Sequence, residues 1–262
     1  MMVFLNSGRG CDMITVKIKG GLGNQLFQYA YGRSKSMQQR TELELDLSWY
    51  ANPYFDRRYL LSKFNICCET KTDGNNCEEG YWQSESFFKD IKHVITKDFT
   101  LKNQLDVPNK KAESLIKNCE NPVCVHVRYG KDILITPEFV KVCKPDYYHK
   151  RITHLASKVN NPVFFVFSDN FEWAKSNIGI KHPVHFMNNN DDFNCHLDLY
   201  LMSLCKHHII SASTFSWWSA WLSVNKREDG GMVIRPERYY VSGDMNETDL
   251  WPSSWEVLDD NR

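Results

Sequence analysis

The chain has 262 residues, enough for one large domain or two smaller ones with full cores. Lys plus Arg equals Asp plus Glu at 32 each, so no global field holds the chain on nucleic acid or on an acidic membrane, and an anionic ligand has to be caught by a local group of residues. Hydrophobic residues at 42% and charged residues at 24% describe an ordinary soluble globular protein, and no apolar run approaches the ~20 residues that cross a bilayer.

Residues 1–12 contain one short apolar patch, with Arg9 behind it rather than before it, which does not make a signal peptide. Met13 stands directly before the first convincing strand, so residues 1–12 read as a disordered extension. Nine cysteines are scattered without any Cys-x-x-Cys pair, which excludes a disulfide framework or a zinc ribbon and points to free thiols in a reducing, cytoplasmic setting. Peripheral association with a membrane stays open. The tight pair His182 and His185 brackets a proline and reads as a loop rather than a metal site.

Residues 14–19 (ITVKIK) alternate as a half-buried strand does and run into Gly20-Gly21-Leu22-Gly23-Asn24-Gln25. A helical pattern follows over 26–37, and residues 41–46 alternate again. Strand, glycine turn, helix and strand make a parallel α/β unit. Residues 49–115 are less regular, and the polar stretch 73–80 predicts a surface loop. A second series begins near residue 121. It has strands at 123–127 and 163–167, a helix opened by Pro145, a helix over 197–205, a short strand at 208–211, a helix over 215–223 and a closing strand at 232–234. The division predicts two Rossmann-like halves facing one cleft, 13–120 and 121–262.

Four segments carry candidate chemistry. The Gly20–Gln25 turn lets backbone amides approach a ligand at a helix start, although it is not the dinucleotide pattern G-x-G-x-x-G. His126 to Asp132 (HVRYGKD) follows a strand, where doubly wound folds bind ligands, and Arg128 offers a planar fork for phosphate oxygens; a surface ion pair among Arg128, Lys131 and Asp132 is the plain alternative. Ser168 and Asp169 end another strand and either bind a nucleoside or cap the next helix. Ser213, Thr214 and Ser216 bridge a strand and a helix, again an anion-accepting start, while Trp217 and Trp221 share one helix face as core residues.

The residues GGLGNQLFQYA, HVRYGKD, FVFSDN and KHHIISASTFSWWSAWL, in this order, resemble the motifs of glycosyltransferase family eleven, the α-1,2-fucosyltransferases. The resemblance spans residues 14–255. It implies a GT-B fold and an inverting transfer of L-fucose from GDP-fucose to a glycan acceptor, a terminal β-galactoside by expectation, with no metal and no cofactor. Carried over by position, Arg128 binds the diphosphate and stabilises the departing charge, with His126 and Tyr129 beside it. Ser213, Thr214 and Ser216 line the phosphates, Ser168 and Asp169 lie near the nucleoside, and Gly21, Gly23, Asn24 and Gln25 border the fucose. The resemblance names Arg128, Asn24 and His126 as catalytic candidates; for the general base, His126, Asp132 and Glu44 stay open. The chain departs from the family at its second arginine, here Tyr129, and at its acidic position, here Lys131 with Asp132 next. Either Lys131 restores the positive charge or Asp132 takes the place of the acid. These changes leave open another donor or another linkage, or a glycan-binding relative without activity.

Overall fold

The computed structural model describes residues 13–54, 56–130, 143–241 and 247–259. Lys131 and Asp132 therefore lie outside the described residues, as do residues 1–12. Strand β1 (Ile14–Lys17) leads through the glycine turn into helix α1 (Leu22–Gln39), then β2 (Leu43–Asp46) and β3 (Glu69–Lys71), a parallel sheet in the order β1-β2-β3. Helix α1 starts four residues earlier than the apolar pattern predicts. Gly20 makes the turn at φ +80°, a left-handed conformation that favours glycine, so the chain enters the helix at once with Gly21 as its N-cap.

Helices α2 (Lys92–Asp98) and α3 (Val107–Lys117) lead to the second series. Its elements are β4 (Asn121–Val127), α4 (Pro145–Lys158), β5 (Pro162–Ser168), α5 (Phe171–Asn177), β6 (Val184–Phe186), α6 (Cys195–Leu204), β7 (His207–Ile209), α7 (Thr214–Val224), β8 (Val233–Arg235) and β9 (Glu256–Val257). All six strands are parallel, in the order β6-β5-β4-β7-β8-β9. The central strands β4 and β5 are buried on both faces, which is why they read as continuous apolar runs. Val123, Val125 and Val127 pack toward α4 and α5, whereas Cys124 packs toward α3 and α6.

Three short edge strands, β3, β6 and β9, are absent from the sequence reading, because none has a buried residue and no apolar run marks them, unlike the equally short β7 and β8. Residues 232–234 do not close the sheet, since β9 pairs outside β8. His185 lies in β6 rather than in a loop, with its ring stacked 5.2 Å from Phe165. Residues 73–80 are irregular, as expected, apart from one bridge from Val16 to Glu78.

The largest buried cluster joins the two sheets. Trp217, Trp218 and Trp221 of α7 are fully buried against Phe27 of α1, Phe88 and Phe99. Trp217 and Trp221 stack with centroids 6.1 Å apart, so the shared helix face is a core face. Two indole donors are satisfied across the structure, Trp217 Nε1 to the Leu250 carbonyl at 2.8 Å and Trp221 Nε1 to Glu85 at 3.1 Å. Among the described residues no helix is long and apolar enough to cross a membrane.

Candidate active site

In the six-stranded sheet the chain runs outward from β4 through β5 to β6, then returns to β7 on the other side of β4. The carboxyl ends of β4 and β7 are therefore the point where the winding reverses, and ligands bind in the crevice outside such a point. A hydrogen bond at 3.1 Å between His126 Nδ1, at the end of β4, and Ser211 Oγ, just past β7, spans it. A cavity of about 980 Å³ opens there, between the two sheets.

Two helix starts face this cavity. Gly21 caps α1 and Ser213 caps α7, and neither cap residue makes a side-chain hydrogen bond to its helix. No acidic residue occupies the first turn of either helix. Apart from the Thr214 N–H, which is hydrogen-bonded to the Tyr239 hydroxyl, the first-turn amides and the positive dipole end thus face an anion without an acidic competitor. Gly23 is what brings the two starts together. An ideal Cβ there would lie 2.4 Å from the Phe215 nitrogen and 2.5 Å from Thr214 Oγ1.

Arg128 projects into the cavity from the end of β4 and forms an ion pair with Asp169 from the end of β5. The second oxygen of Asp169 accepts the Tyr129 backbone N–H at 2.7 Å. Asp169 thus binds both the guanidinium and the backbone beside it, which fixes the fork of Arg128. The helix-capping role falls to the next residue: Asn170 accepts the Trp173 N–H at 3.1 Å, and Ser168 Oγ accepts the Asn170 N–H at 3.0 Å. His126 is buried, and burial followed by the nearby Arg128 charge lowers its pKa to about 3. Its imidazole is therefore neutral and weakly basic at ordinary pH.

Of the candidate residues, Gly21, Gly23, Asn24, His126, Arg128, Ser168, Asp169, Ser213 and Thr214 line the cavity together. Four do not. Gln25 is fully buried and its amide bonds to the backbone of Gly20, Arg58 and Leu60. Ser216 is fully buried and its hydroxyl accepts the Ser211 N–H. Tyr129 turns away and stacks on Trp173 with centroids 3.7 Å apart. Glu44 sits on β2, bonded to Thr15 and Lys71.

The sequence reading missed Asp198 on the first turn of α6. It lines the cavity with Phe167 and Met202, which are apolar. Asn190 donates to one of its oxygens at 2.6 Å, and Asn190 is itself locked in a reciprocal amide pair with Asn109. Burial raises the Asp198 pKa to about 6. Its only sequence signal was an acid on an otherwise apolar helix. Asn24 was expected, but not its support: Gln83 donates to Asn24 Oδ1 at 3.0 Å, and Tyr240 Oη donates to Gln83 at 3.2 Å. Among the described residues no cluster of three or more His, Cys, Asp or Glu could hold a metal.

Known proteins resemble this chain. The chain is 30% identical over 93% of its length, and over 98% of the relative, to an alpha-1,2-colitosyltransferase of Escherichia coli. It is 27% identical, over 91% of the chain and 98% of the relative, to the O-antigen biosynthesis glycosyltransferase WbnK of Escherichia coli. A galactoside alpha-(1,2)-fucosyltransferase 2 of Hylobates lar is 25% identical over 80% of the chain and 69% of its own. A crystal structure of POFUT1 in complex with GDP-fucose superposes with a TM-score of 0.54 at 11% identity, covering 88% of this chain and 99% of that one. That likeness carries the fold, and the architecture is GT-B. The family model for glycosyl transferase family 11 matches residues 48–256, and the chain belongs to that family.

Proposed function

We propose that this protein transfers L-fucose from GDP-fucose to the 2-hydroxyl of a terminal β-galactoside, with inversion and without a metal ion. The observation that carries this reading is the opposition of Arg128 to the uncapped start of α7 across the crevice between β4 and β7. The acceptor hydroxyl oxygen attacks C1 of fucose and releases its proton to water in the cleft, while the bond from C1 to the β-phosphate oxygen breaks and the electron pair leaves with GDP. Negative charge builds on the diphosphate as the sugar gains oxocarbenium character. Fixed donors aimed at that charge lower the barrier. Arg128 and the first amides of α7, with Ser213 and Thr214, are those donors, and Arg128 is the catalytic residue. In this reading residues 121–262 hold the donor and residues 13–120 hold the acceptor, with Gly21 and Asn24 at the sugar.

The guanine ring presents adjacent N–H donors along one edge. A carboxylate accepts both at once, and Asp198, oriented by Asn190 beside Phe167 and Met202, supplies one. The test is incubation with GDP-fucose and a β-galactoside, NMR of the product linkage, and repetition with a chelator. An α-1,2 product formed equally well with chelator is expected. A product with another linkage, or activity abolished by the chelator and restored by a divalent ion, refutes the corresponding part.

A second reading rests on the relative from Escherichia coli that carries the name colitosyltransferase, together with Tyr129 in place of the family's second arginine. It holds that the sugar is a deoxygenated relative of fucose. A higher kcat/KM for GDP-colitose than for GDP-fucose decides for it.

A further inference from the structure

A second cavity of about 510 Å³ adjoins the first on the side of the N-terminal sheet. Three cations line it, Arg57, Arg58 and Lys63, together with the aromatic rings of Tyr50, Tyr59 and Phe193, and no acid among the described residues does. Arg57 lines both cavities, so the two adjoin at that side chain. The acids of this region, Asp191, Asp192 and Asp198, belong to the larger cavity. Neither Arg58 nor Lys63 has an acidic partner among the described residues. In a chain with no net charge, Arg58 and Lys63 around one hollow, without an acidic partner among the described residues, are a local departure that binding of an anion accounts for.

The hollow is also built rather than merely exposed. Gln25, fully buried in α1, donates to the Arg58 carbonyl at 2.6 Å and accepts the Leu60 N–H at 2.9 Å, which clamps the arginine-bearing loop onto the helix. The Arg58 guanidinium lies 3.7 Å from the Phe193 ring centroid. Stacking fixes the plane of the guanidinium and leaves its N–H edge free to meet an oxyanion. Tyr50 is held by a hydrogen bond from its hydroxyl to the Gly20 carbonyl at 3.0 Å, beside the turn that borders the donor sugar. The positive field reaches further inward, since Lys63 adds to burial in lowering the His196 pKa to about 4. Rings suit the apolar faces of pyranoses, and cations suit a charge attached to them.

We infer that Arg58 and Lys63, with the rings of Tyr50, Tyr59 and Phe193, form an acceptor subsite for a glycan that carries an oxyanion one or two sugars beyond the hydroxyl that receives the donor sugar. The inference rests on the proposed transfer reaction and names the class of acceptor. Two sources supply that chemistry, a phosphate or diphosphate ester at the reducing end and the carboxylate of an acidic sugar.

The experiment uses the full chain, GDP-fucose and three acceptors with the same terminal β-galactoside: a neutral disaccharide, its reducing-end diphosphate ester, and an analogue with a uronic acid as the second sugar. The wild type is expected to use at least one charged acceptor with a kcat/KM about tenfold above the neutral one, mainly through KM. Raising the salt concentration should narrow that gap. Arg58→Gln and Lys63→Gln should each reduce the preference while leaving turnover of the neutral acceptor and hydrolysis of GDP-fucose unchanged. The distinction between ester and carboxylate identifies the source. Equal use of all three acceptors by the wild type overturns the subsite, and so does an equal loss on neutral and charged acceptors in both variants. Absence of GDP-fucose hydrolysis and of transfer to every acceptor overturns the donor reading instead.

Discussion

Arg128 is held by Asp169 on one side and opens to the cleft on the other, so removing the guanidinium and removing the carboxylate have different consequences. On the proposed placement of Arg128 at the departing diphosphate, Arg128→Ala deletes a charged donor and should lower kcat by about 10²–10³-fold. Asp169→Asn keeps an acceptor for the Tyr129 N–H and loses only the charge that orients Arg128. Its expected loss is about tenfold, seen in steady-state kinetics. Asp198 gives the site a pH dependence. Burial raises its pKa to about 6, and in the proposed guanine contact the ring's N–H donors bind the ionised form. Affinity for GDP is therefore fully present above that value and falls as pH drops through it, by up to about tenfold per unit. His126, neutral down to about pH 3, adds nothing in this range. Calorimetric titration with GDP between pH 5 and 8 checks the point, and Asp198→Asn should bind weakly at every pH with a flat profile.

At the level of elements, the approach of α1 to α7 depends on one missing side chain. Gly23→Ala places a methyl group against the Thr214 and Phe215 backbone, which cannot withdraw as a flexible side chain could. A cost of about 1–3 kcal/mol and a displaced α7 start are expected, with a lower Tm and weaker GDP binding together. Gly21→Ala meets nothing within 4 Å and should leave Tm unchanged. Elements of this kind differ in how far the sequence reveals them. Helices α4 and α7 show their periods plainly, and Pro145 marks the start of α4. Edge strands β3, β6 and β9 are decided by pairing with a neighbour already in place, and with no buried residue they carry no apolar run to announce it.

For the molecule as a whole, the shared aromatic cluster matters more than the two sheets do. Helix α7 follows β7 of the larger sheet, yet its tryptophans fill the core beneath α1. The halves therefore cannot unfold one at a time without exposing Trp217, Trp218 and Trp221. A single cooperative transition is expected in calorimetry, shifted upward by GDP, by about 2.7 kcal/mol at a hundredfold excess over Kd. Two separated transitions, with only the later one responding to GDP, would contradict a common core. Trp217→Ala should cost about 3–5 kcal/mol and lower the stability of both halves together.

Local sequence determined the two α/β series, the glycine turn, the uncapped helix starts and the residues at the ends of β4, β5 and β7. Each follows from side-chain period or from backbone chemistry within a few residues. Tertiary structure decided which of those residues meet. It joined Arg128 to Asp169, withdrew Gln25, Ser216 and Tyr129 from the cleft, and brought in Asp198 and Gln83 from segments with no motif. Partner choice at the heart of the site depends on long-range contacts, as between Arg128 and Asp169 or Asn24 and Gln83, 41 and 59 residues apart, and only the folded chain sets those distances.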